Sequence, residues 1–271
     1  MLQFVGGFIL GLLTFAVLFL RKRIAGTRGD ENTHVAQLEE LSKLTGGLAH
    51  EIKNPLSTVK INLNLVREEL EDSVRTESGK ISADKTNTIL KRAIRKLAVV
   101  QKETDRVEQI LDGFLRYVDR TELQLASIDI NELIGDMVDF YIPQAQGRSV
   151  TIRQALSNEP LVCKIDPNML KQVILNLFIN AQQAMSGGGE LMIRTDKKEK
   201  DALIEICDTG SGIPPERLPH IFDAYYSSRP QGSGLGLPTA KKIIDAHKGS
   251  ISVNSEPGKG TSFQIRLPLQ T

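Results

Sequence analysis

The segment GGLAHEIKNPL, residues 46–56, combines one histidine with a carboxylate and an amide. Glu51 follows His50 directly, and Asn54 stands four positions later, on the same face if the segment is helical. A neutral imidazole is a competent nitrogen nucleophile near pH 7, and a neighbouring carboxylate fixes the tautomer that leaves the far ring nitrogen free. The pattern is therefore typical of nucleophilic chemistry at His50, although a solvent-facing histidine beside a glutamate is also common without such a role.

A second set of polar residues lies on an apolar segment in the C-terminal half. The segment DPNMLKQVILNLFINAQQAM predicts a helix, with Asp166 as a natural N-cap and Pro167 as the first helical residue. Asn176 and Asn180 share one face of that helix at i and i+4. Amides on so apolar a helix need partners, and hydrogen bonds within the fold are the usual ones.

Two glycine-rich segments follow. In DTGSGIP, Asp208 comes directly after the apolar run LIEIC, and a carboxylate at a strand end can accept a hydrogen bond from an adenine amino group. Gly210 and Gly212 let the backbone approach such a base closely. In GSGLGL, residues 232–237, alternate glycines lead into the predicted helix PTAKKIIDAHK, an arrangement suited to cradling phosphates.

Apolar residues at steps of three or four predict two long helices around the histidine segment. The first stripe begins at Leu38 and predicts a helix over about 34–72. The second stripe runs from Leu90 to Val118 after the polar break DSVRTESGKISAD. Two such helices form a hairpin, and a hairpin alone cannot cover both stripes, so the pattern predicts a homodimer whose second copy completes a four-helix bundle.

His50 and Pro55 can be placed on the first helix. At 100° per residue, His50 lies about 200° from Leu48 and from Ile52, so it faces away from the apolar stripe. Pro55 has two interpretations: Asn54 caps a new helix that starts at Pro55, or one helix continues and is kinked there. The stripe keeps its phase across the proline, which favours the kink.

The first residues of the chain have a different character. Residues 2–20 carry no charge and as a helix would span roughly 28 Å, against about 30 Å for a bilayer's hydrocarbon core. The basic cluster at residues 21–23 follows the run, which predicts a single span with residues 21–271 in the cytoplasm. A cleaved signal peptide is the rival interpretation, but no basic residues precede the run and no small-x-small site directly follows it. Signal input is therefore expected through the span, a membrane partner or a cytoplasmic protein that grips the hairpin.

Bulk composition limits the remaining possibilities. The 34 Lys and Arg residues almost balance the 33 Asp and Glu residues, so nothing electrostatic points to a nucleic-acid partner. Cys163 and Cys207 stand far apart and match no metal-ligand spacing, and they are expected to be core residues in a reducing compartment.

From about residue 128 onward, short β-rich runs alternate with helical segments. Such an order predicts an α/β sandwich domain. The predicted strands are SVTIRQAL, LVCKI, ELMIRT, ALIEICD, SISVNS and TSFQIRL.

These motifs together resemble a known family. HEIKNPL is similar to the H-box of bacterial sensor histidine kinases of two-component systems, in the nitrogen-regulatory subgroup. NLFINA, DTGSGIP and GSGLGL resemble the N-box, the D-x-G-x-G motif and the G-x-G-x-G motif of the gyrase and histidine-kinase ATPase superfamily. IFDAYYSSRPQGSG resembles the F-box, with Arg229 where the family usually has a lysine. The hairpin departs from the pattern in being longer than is usual in the subgroup.

The resemblance implies roles for individual residues. His50 would accept phosphate from ATP, Glu51 would act as general base, and Asn54 would position water when the same domain dephosphorylates its partner. Asn180 would coordinate the Mg²⁺ that bridges the ATP phosphates. The remaining residues implied in ATP binding are Asn176, Asp208, Gly210, Gly212, Arg229, Gly232, Gly234, Leu235 and Gly236.

The sequence thus predicts an α+β protein in four parts. Residues 1–23 form the transmembrane helix and its basic flank, 24–33 a linker, 34–120 the dimerisation and phosphotransfer hairpin, and 121–271 the ATP-binding α/β sandwich. The expected function is that of a membrane-tethered histidine kinase that acts on a separate response regulator and also has phosphatase activity toward it. The alternatives are a degenerate scaffold without kinase activity, against which the intact motifs argue, and another ATPase of the superfamily, against which the H-box argues.

Overall fold

The computed structural model describes residues 31–75, 83–118, 123–227 and 232–270. The chain divides into two compact units, Met1–Ile110 and Leu111–Thr271. In the described ranges, each helix is too short or too polar to cross a bilayer. The predicted transmembrane segment, residues 1–23, lies outside those ranges.

The first unit is built from two long helices, as predicted. Helix α1 spans Glu31–Arg75, so it begins three residues before the expected start, and α2 spans Ala83–Val118. Ion pairs join the helices of this unit: Lys96 Nζ lies 2.7 Å from Glu69 Oε1, and Arg106 contacts Glu51 farther along. The later α1 residue pairs with the earlier α2 residue, so the helices are antiparallel and form the predicted hairpin.

Helix α1 continues through Pro55, so the interpretation of Asn54 as a helix start is wrong. The proline removes one backbone donor. Two residues after the proline, the Ser57 hydroxyl donates to the Lys53 carbonyl at 2.8 Å, and the next residue, Thr58, donates from its hydroxyl to the Asn54 carbonyl at 3.4 Å. Hydroxyl bonds of this kind often accompany helix bending.

The hairpin leaves much of its apolar surface in contact with solvent. Leu48, Val66 and Ala93 are buried, whereas many larger side chains of the two stripes and their flanks are not. The exposed set in this unit comprises Ile61, Leu63, Leu65, Leu70, Leu90, Ile94, Leu97 and Val99.

The second unit contains a five-stranded sheet, and the predicted α/β sandwich is found there. Its strands are β2 (Val150–Ala155), β4 (Gly189–Lys198), β5 (Asp201–Asp208), β6 (Ser250–Glu256) and β7 (Gly260–Pro268), in the order β2-β4-β5-β7-β6. β2 pairs with β4 in parallel, and the other neighbours are antiparallel.

Three helices complete the unit: α3 (Ile130–Gln146), α4 (Pro167–Ala184) and α5 (Gly236–Ala246). They share one hydrophobic core with the sheet, in which Tyr141, Phe178 and Ile193 are fully buried. A separate antiparallel pair joins β1 (Ala126–Asp129) to β3 (Val162–Ile165). The six predicted strands are all present, whereas β1 was not predicted, because Ala and Asp disfavour strands and its sequence ASID contains one β-prone residue, Ile128.

Candidate active site

Asp208 is the last residue of β5, in the interior of the sheet. It is opposite Leu191 of β4 on one side and Thr261 of β7 on the other. The carboxylate is buried, and its Oδ1 accepts a hydrogen bond from the Gly210 N–H at 2.8 Å. The strand and the following turn together hold this carboxylate in one orientation.

The turn after Asp208 has no room for side chains at its glycines. A Cβ on Gly210 would lie 2.7 Å from the Ala184 Cβ, at the end of α4. Gly212 has a φ of +69°, and a Cβ there would lie 2.1 Å from the Glu256 carbonyl oxygen. Both glycines are therefore required by close backbone approach, one toward α4 and the other toward the β6–β7 turn.

Helix α4 presents the two predicted asparagines. The Asp166 carboxylate caps the helix by accepting the N–H groups of Asn168 and Met169, as predicted for this N-cap. Asn176 donates from Nδ2 to the Gly236 carbonyl at 3.3 Å, which joins α4 to the first residue of α5. Asn180 lies one turn farther along and is half-buried.

The glycine loop before α5 is anchored at its base. The Tyr225 N–H donates to the Gly234 carbonyl at 3.1 Å, and both residues have positive φ, +63° and +64°. A Cβ on Gly234 would lie 2.5 Å from the Tyr225 carbonyl carbon, so the backbone at Gly234 is in direct contact with the backbone at Tyr225. Gly232 is half-buried, and the predicted Arg229 lies outside the described residues.

The start of α5 is suited to an anion. Leu235 stands at the N-cap, is buried, and makes no side-chain capping bond to the helix. The first N–H groups of a helix have no acceptor within the helix, and without a capping side chain they suit a phosphate. The Thr239 hydroxyl donates back to the Leu235 carbonyl at 2.6 Å and fixes this first turn.

The aromatic residues of the F-box segment differ in their surroundings. Phe222 packs against the hydrophobic core, and Lys241 Nζ lies 5.7 Å from its ring centroid. Tyr226 contacts His220, with ring centroids 5.6 Å apart. Both of these residues are exposed, so this ring contact lies at the surface.

The second unit thus brings three sequence motifs together around α4. The turn holding Asp208 and Gly210 meets the end of α4 at Ala184, and the glycine loop meets Asn176 at its middle. Sequence analysis did not predict the link between Asn176 and Gly236, because a backbone carbonyl acceptor leaves no mark in the residue types.

The histidine segment lies on α1 in the first unit. His50 and Asn54 are exposed, as predicted from the phase of the apolar stripe. Glu51 is half-buried, and its Oε2 lies 3.9 Å from Arg106 NH2 on α2. Sequence analysis missed Arg106, since the pairing depends on the register between the two helices, which the connecting segment does not reveal.

Comparisons with known proteins agree with this arrangement. Residues 165–271 match the family model described as histidine kinase-, DNA gyrase B-, and HSP90-like ATPase. The matched segment begins at the end of β3 and contains α4, the Asp208 turn and the glycine loop.

Curated relatives extend the likeness over the hairpin. The sensor histidine kinase ZraS of Escherichia coli K12 is 32% identical over 240 residues, 89% of this chain and 48% of ZraS. The signal transduction histidine-protein kinase AtoS of the same organism is 30% identical over 268 residues, 97% of this chain and 40% of AtoS. The likeness to these sensor histidine kinases therefore covers both the hairpin and the α/β unit, and the predicted resemblance to the family is confirmed. The chain spans about half the length of the curated relatives it matches.

Solved structures give the same fold. The histidine kinase ThkA in complex with response regulator protein TrrA has a TM-score of 0.68 at 23% identity, covering 89% of this chain and 65% of that chain. At that identity the likeness concerns the fold alone. The catalytic domain of ThkA is 27% identical, with a TM-score of 0.50, and covers 54% of this chain and 96% of that domain.

Proposed function

We propose that this protein phosphorylates His50 from ATP and then passes the phosphoryl group to an aspartate of a separate response regulator. The observation that carries the proposal is the co-occurrence of an exposed His50–Glu51 pair on a helical hairpin with a second unit in which the N-box helix, Asp208 and the glycine loop converge. The His50–Glu51 pair alone, or the converging motifs of the second unit alone, would be a weaker indication of histidine phosphorylation.

ATP fits the second unit by the chemistry of its groups. Asp208 can accept a hydrogen bond from the adenine amino group, beside a turn where Gly210 and Gly212 keep the backbone bare. The glycine loop from Gly232 to Gly236, together with the uncapped first turn of α5, would receive the phosphates.

Mg²⁺ would be held by the side-chain oxygen of Asn180 together with the ATP phosphates. An amide oxygen is a hard ligand of the kind Mg²⁺ accepts, and Mg²⁺ is commonly bound through few protein groups plus phosphates and water. When bound, Mg²⁺ supplies neutralisation of the phosphate charge.

His50 supplies the nucleophile. Its ring is exposed on α1, and attack by one ring nitrogen on the γ-phosphorus of ATP would form the nitrogen–phosphorus bond while the bond to the leaving ADP oxygen breaks. Glu51 would orient the ring and take up its proton, and Arg106, 3.9 Å from the Glu51 carboxylate, would hold that carboxylate in place. Phosphoryl transfer otherwise requires positioning and charge neutralisation.

The same surface would serve the response regulator. Asn54 is exposed one turn after His50 on α1, where its amide can position water for dephosphorylation of the partner's aspartate. We therefore include phosphatase activity toward the response regulator in the proposed function.

A homodimer follows from the exposed apolar side chains of the hairpin. Ile61, Leu90 and Ile94 are each more than half exposed in the single chain. A second hairpin would cover such residues in a four-helix bundle.

We also propose that residues 1–23 tether the protein to the cell membrane as a single span, with the kinase units in the cytoplasm. The support is the uncharged run 2–20 and the basic cluster that follows it. The signal would then arrive through the span, a membrane partner or a cytoplasmic protein that binds the hairpin.

The proposal is tested by incubating the protein with γ-labelled ATP and Mg²⁺ beside the variants His50→Gln and Asn180→Ala. We expect acid-labile label on the wild type and none on His50→Gln. Asn180→Ala should lose both label and nucleotide binding. Label that persists in His50→Gln would exclude His50 as the acceptor, and ATP turnover without any label would favour a different ATPase.

A further inference from the structure

His247 follows the last residue of α5 and is buried, with 6% of its surface exposed. Both ring nitrogens are hydrogen-bonded. Nδ1 lies 2.7 Å from the Ile243 carbonyl oxygen, and Nε2 accepts the Asp166 N–H at 2.9 Å. A carbonyl oxygen accepts and a backbone N–H donates, so the ring is the neutral tautomer that carries its proton on Nδ1.

Asp166, on the other side of this bond, is the N-cap of α4. Its Oδ1 accepts the first N–H groups of that helix, and its Oδ2 accepts the Gln124 N–H at 2.9 Å. The bond from Asp166 to His247 therefore joins the end of α5 to the start of α4, at a point where the segment just before β1 is also bound.

A second bond joins the same two helices at the opposite end of α5, where Asn176 donates to the Gly236 carbonyl. The stretch from Asp166 to Asn176 and the stretch from Gly236 to His247 are each about 15 Å long at a rise of 1.5 Å per residue. The two helices are thus antiparallel and are joined at both ends of the shared length. With two such bonds, α5 can neither slide along α4 nor pivot about one point.

We infer that His247 is a positioning residue for nucleotide binding, which holds α5 so that the glycine loop keeps its distance from Asn176 and Asn180. The inference rests on the proposed function, since it assigns to His247 an effect on the ATP site. It adds a residue that lies at the far end of α5 from the phosphates and touches no part of the nucleotide.

Loss of the hydrogen bond from the Asp166 N–H to His247 would affect nucleotide affinity through the contacts that remain between α4 and α5. The Asp166 N–H would be left buried without its acceptor, and α5 would be joined to α4 at its first turn by the weaker bond from Asn176. The N–H groups that face the phosphates would then be less well oriented before binding, which lowers affinity.

Two variants separate this role from simple packing. In His247→Asn, the shorter amide can still donate to the Ile243 carbonyl but cannot reach Asp166. In His247→Gln, the longer side chain places an oxygen where Nε2 now accepts the Asp166 N–H. Val150→Ala serves as a matched control, because it removes buried volume from β2, outside both helices.

The measurement is the affinity of the full chain for a non-hydrolysable ATP analogue with Mg²⁺, by calorimetry, together with the melting temperature. We expect the Kd to rise about tenfold in His247→Asn, the effect of one lost buried hydrogen bond, and to stay within about twofold in His247→Gln. Val150→Ala should lower the melting temperature and leave the Kd unchanged.

Several results would overturn the inference. Equal affinity of His247→Asn and wild type would do so, and so would a loss in Val150→Ala as large as that in His247→Asn. Should His247→Asn not fold, a tenfold loss in the folded His247→Gln variant would contradict it. A wild type that binds no nucleotide would instead remove the proposed function itself, and Asn180→Ala, which loses binding with His247 intact, distinguishes the two failures.

Discussion

Replacement of Gly212 by alanine tests how closely the turn after β5 is held against the β6–β7 turn. An L-residue at a φ of +69° costs about 1–2 kcal/mol in backbone strain. The new Cβ would also lie 2.1 Å from the Glu256 carbonyl oxygen, so the two backbone segments must separate by about 1 Å to restore normal contact.

That separation acts on two hydrogen bonds. The Gly258 N–H donates to the Ser211 carbonyl at 2.8 Å, and the Ile213 N–H donates to the Ser255 hydroxyl, also at 2.8 Å. Each is worth about 1 kcal/mol. The free energy of unfolding of Gly212→Ala should therefore fall by about 3–4 kcal/mol, the sum of strain and lost bonds.

Gly258→Ala is the matched control. Gly258 has a φ of +78°, similar to that of Gly212, but a Cβ there would meet nothing within 4 Å. The control should therefore lose only the strain, about 1–2 kcal/mol.

Urea denaturation followed by tyrosine fluorescence measures both variants. The chain has no tryptophan, and three of its four tyrosines, Tyr141, Tyr225 and Tyr226, lie in the α/β sandwich, whereas Tyr117 lies near the end of α2. Most of the signal therefore reports on the sandwich. Equal losses in the two variants would refute the argument from the Glu256 contact. A retained affinity for ATP in Gly212→Ala would refute the role of this turn in approaching the base.

Three further predictions concern other parts of the chain. Arg106→Gln should slow labelling of His50 about fivefold, because Glu51 loses an ion pair worth about 1 kcal/mol, and an initial rate equal to wild type would contradict this. Burial raises the pKa of the Cys163 thiol to about 11 from 9.0, so its stabilising effect is complete below pH 9 and is lost as the pH rises toward 11. The stability difference between wild type and Cys163→Ala should accordingly shift over that window in urea titrations, and a constant difference would count against it. Pro55→Ala should stiffen α1 and change the ratio of kinase to phosphatase activity, measured as label gained by His50 against label lost from the response regulator; an unchanged ratio would remove this role for the proline.

The features that the sequence predicted correctly are those set by local residue types. Asp166 and Pro167 mark a helix start wherever they occur before an apolar run, and they mark one here. The β-rich run ALIEICD identified a strand, and that strand ends at Asp208. The unbroken phase of the stripe across Pro55 identified one continuous helix.

The features that the sequence did not reveal depend on distant partners. The contact from Glu51 to Arg106 is fixed by the register of two helices, and the role of His247 by a backbone N–H from residue 166. Tyr225 adopts a positive φ that its residue type disfavours, because the Gly234 carbonyl accepts its N–H. These contacts can be identified only from the folded structure, in which both partners are located.

β5 ends at Asp208 and β7 begins at Gly260, and these two points touch. β5 and β7 are neighbours there, and a Cβ on Gly260 would overlap the Asp208 carbonyl oxygen. Pairing of the two strands therefore closes a chain loop in the topological sense, which includes α5 and β6, and part of the cost of ordering the sheet is the entropy of that closure. A nucleotide that binds inside the loop would reduce its freedom and so favour pairing of β5 with β7. Nucleotide binding should therefore stabilise the sheet, and this domain should be most resistant to proteolysis when ATP is abundant.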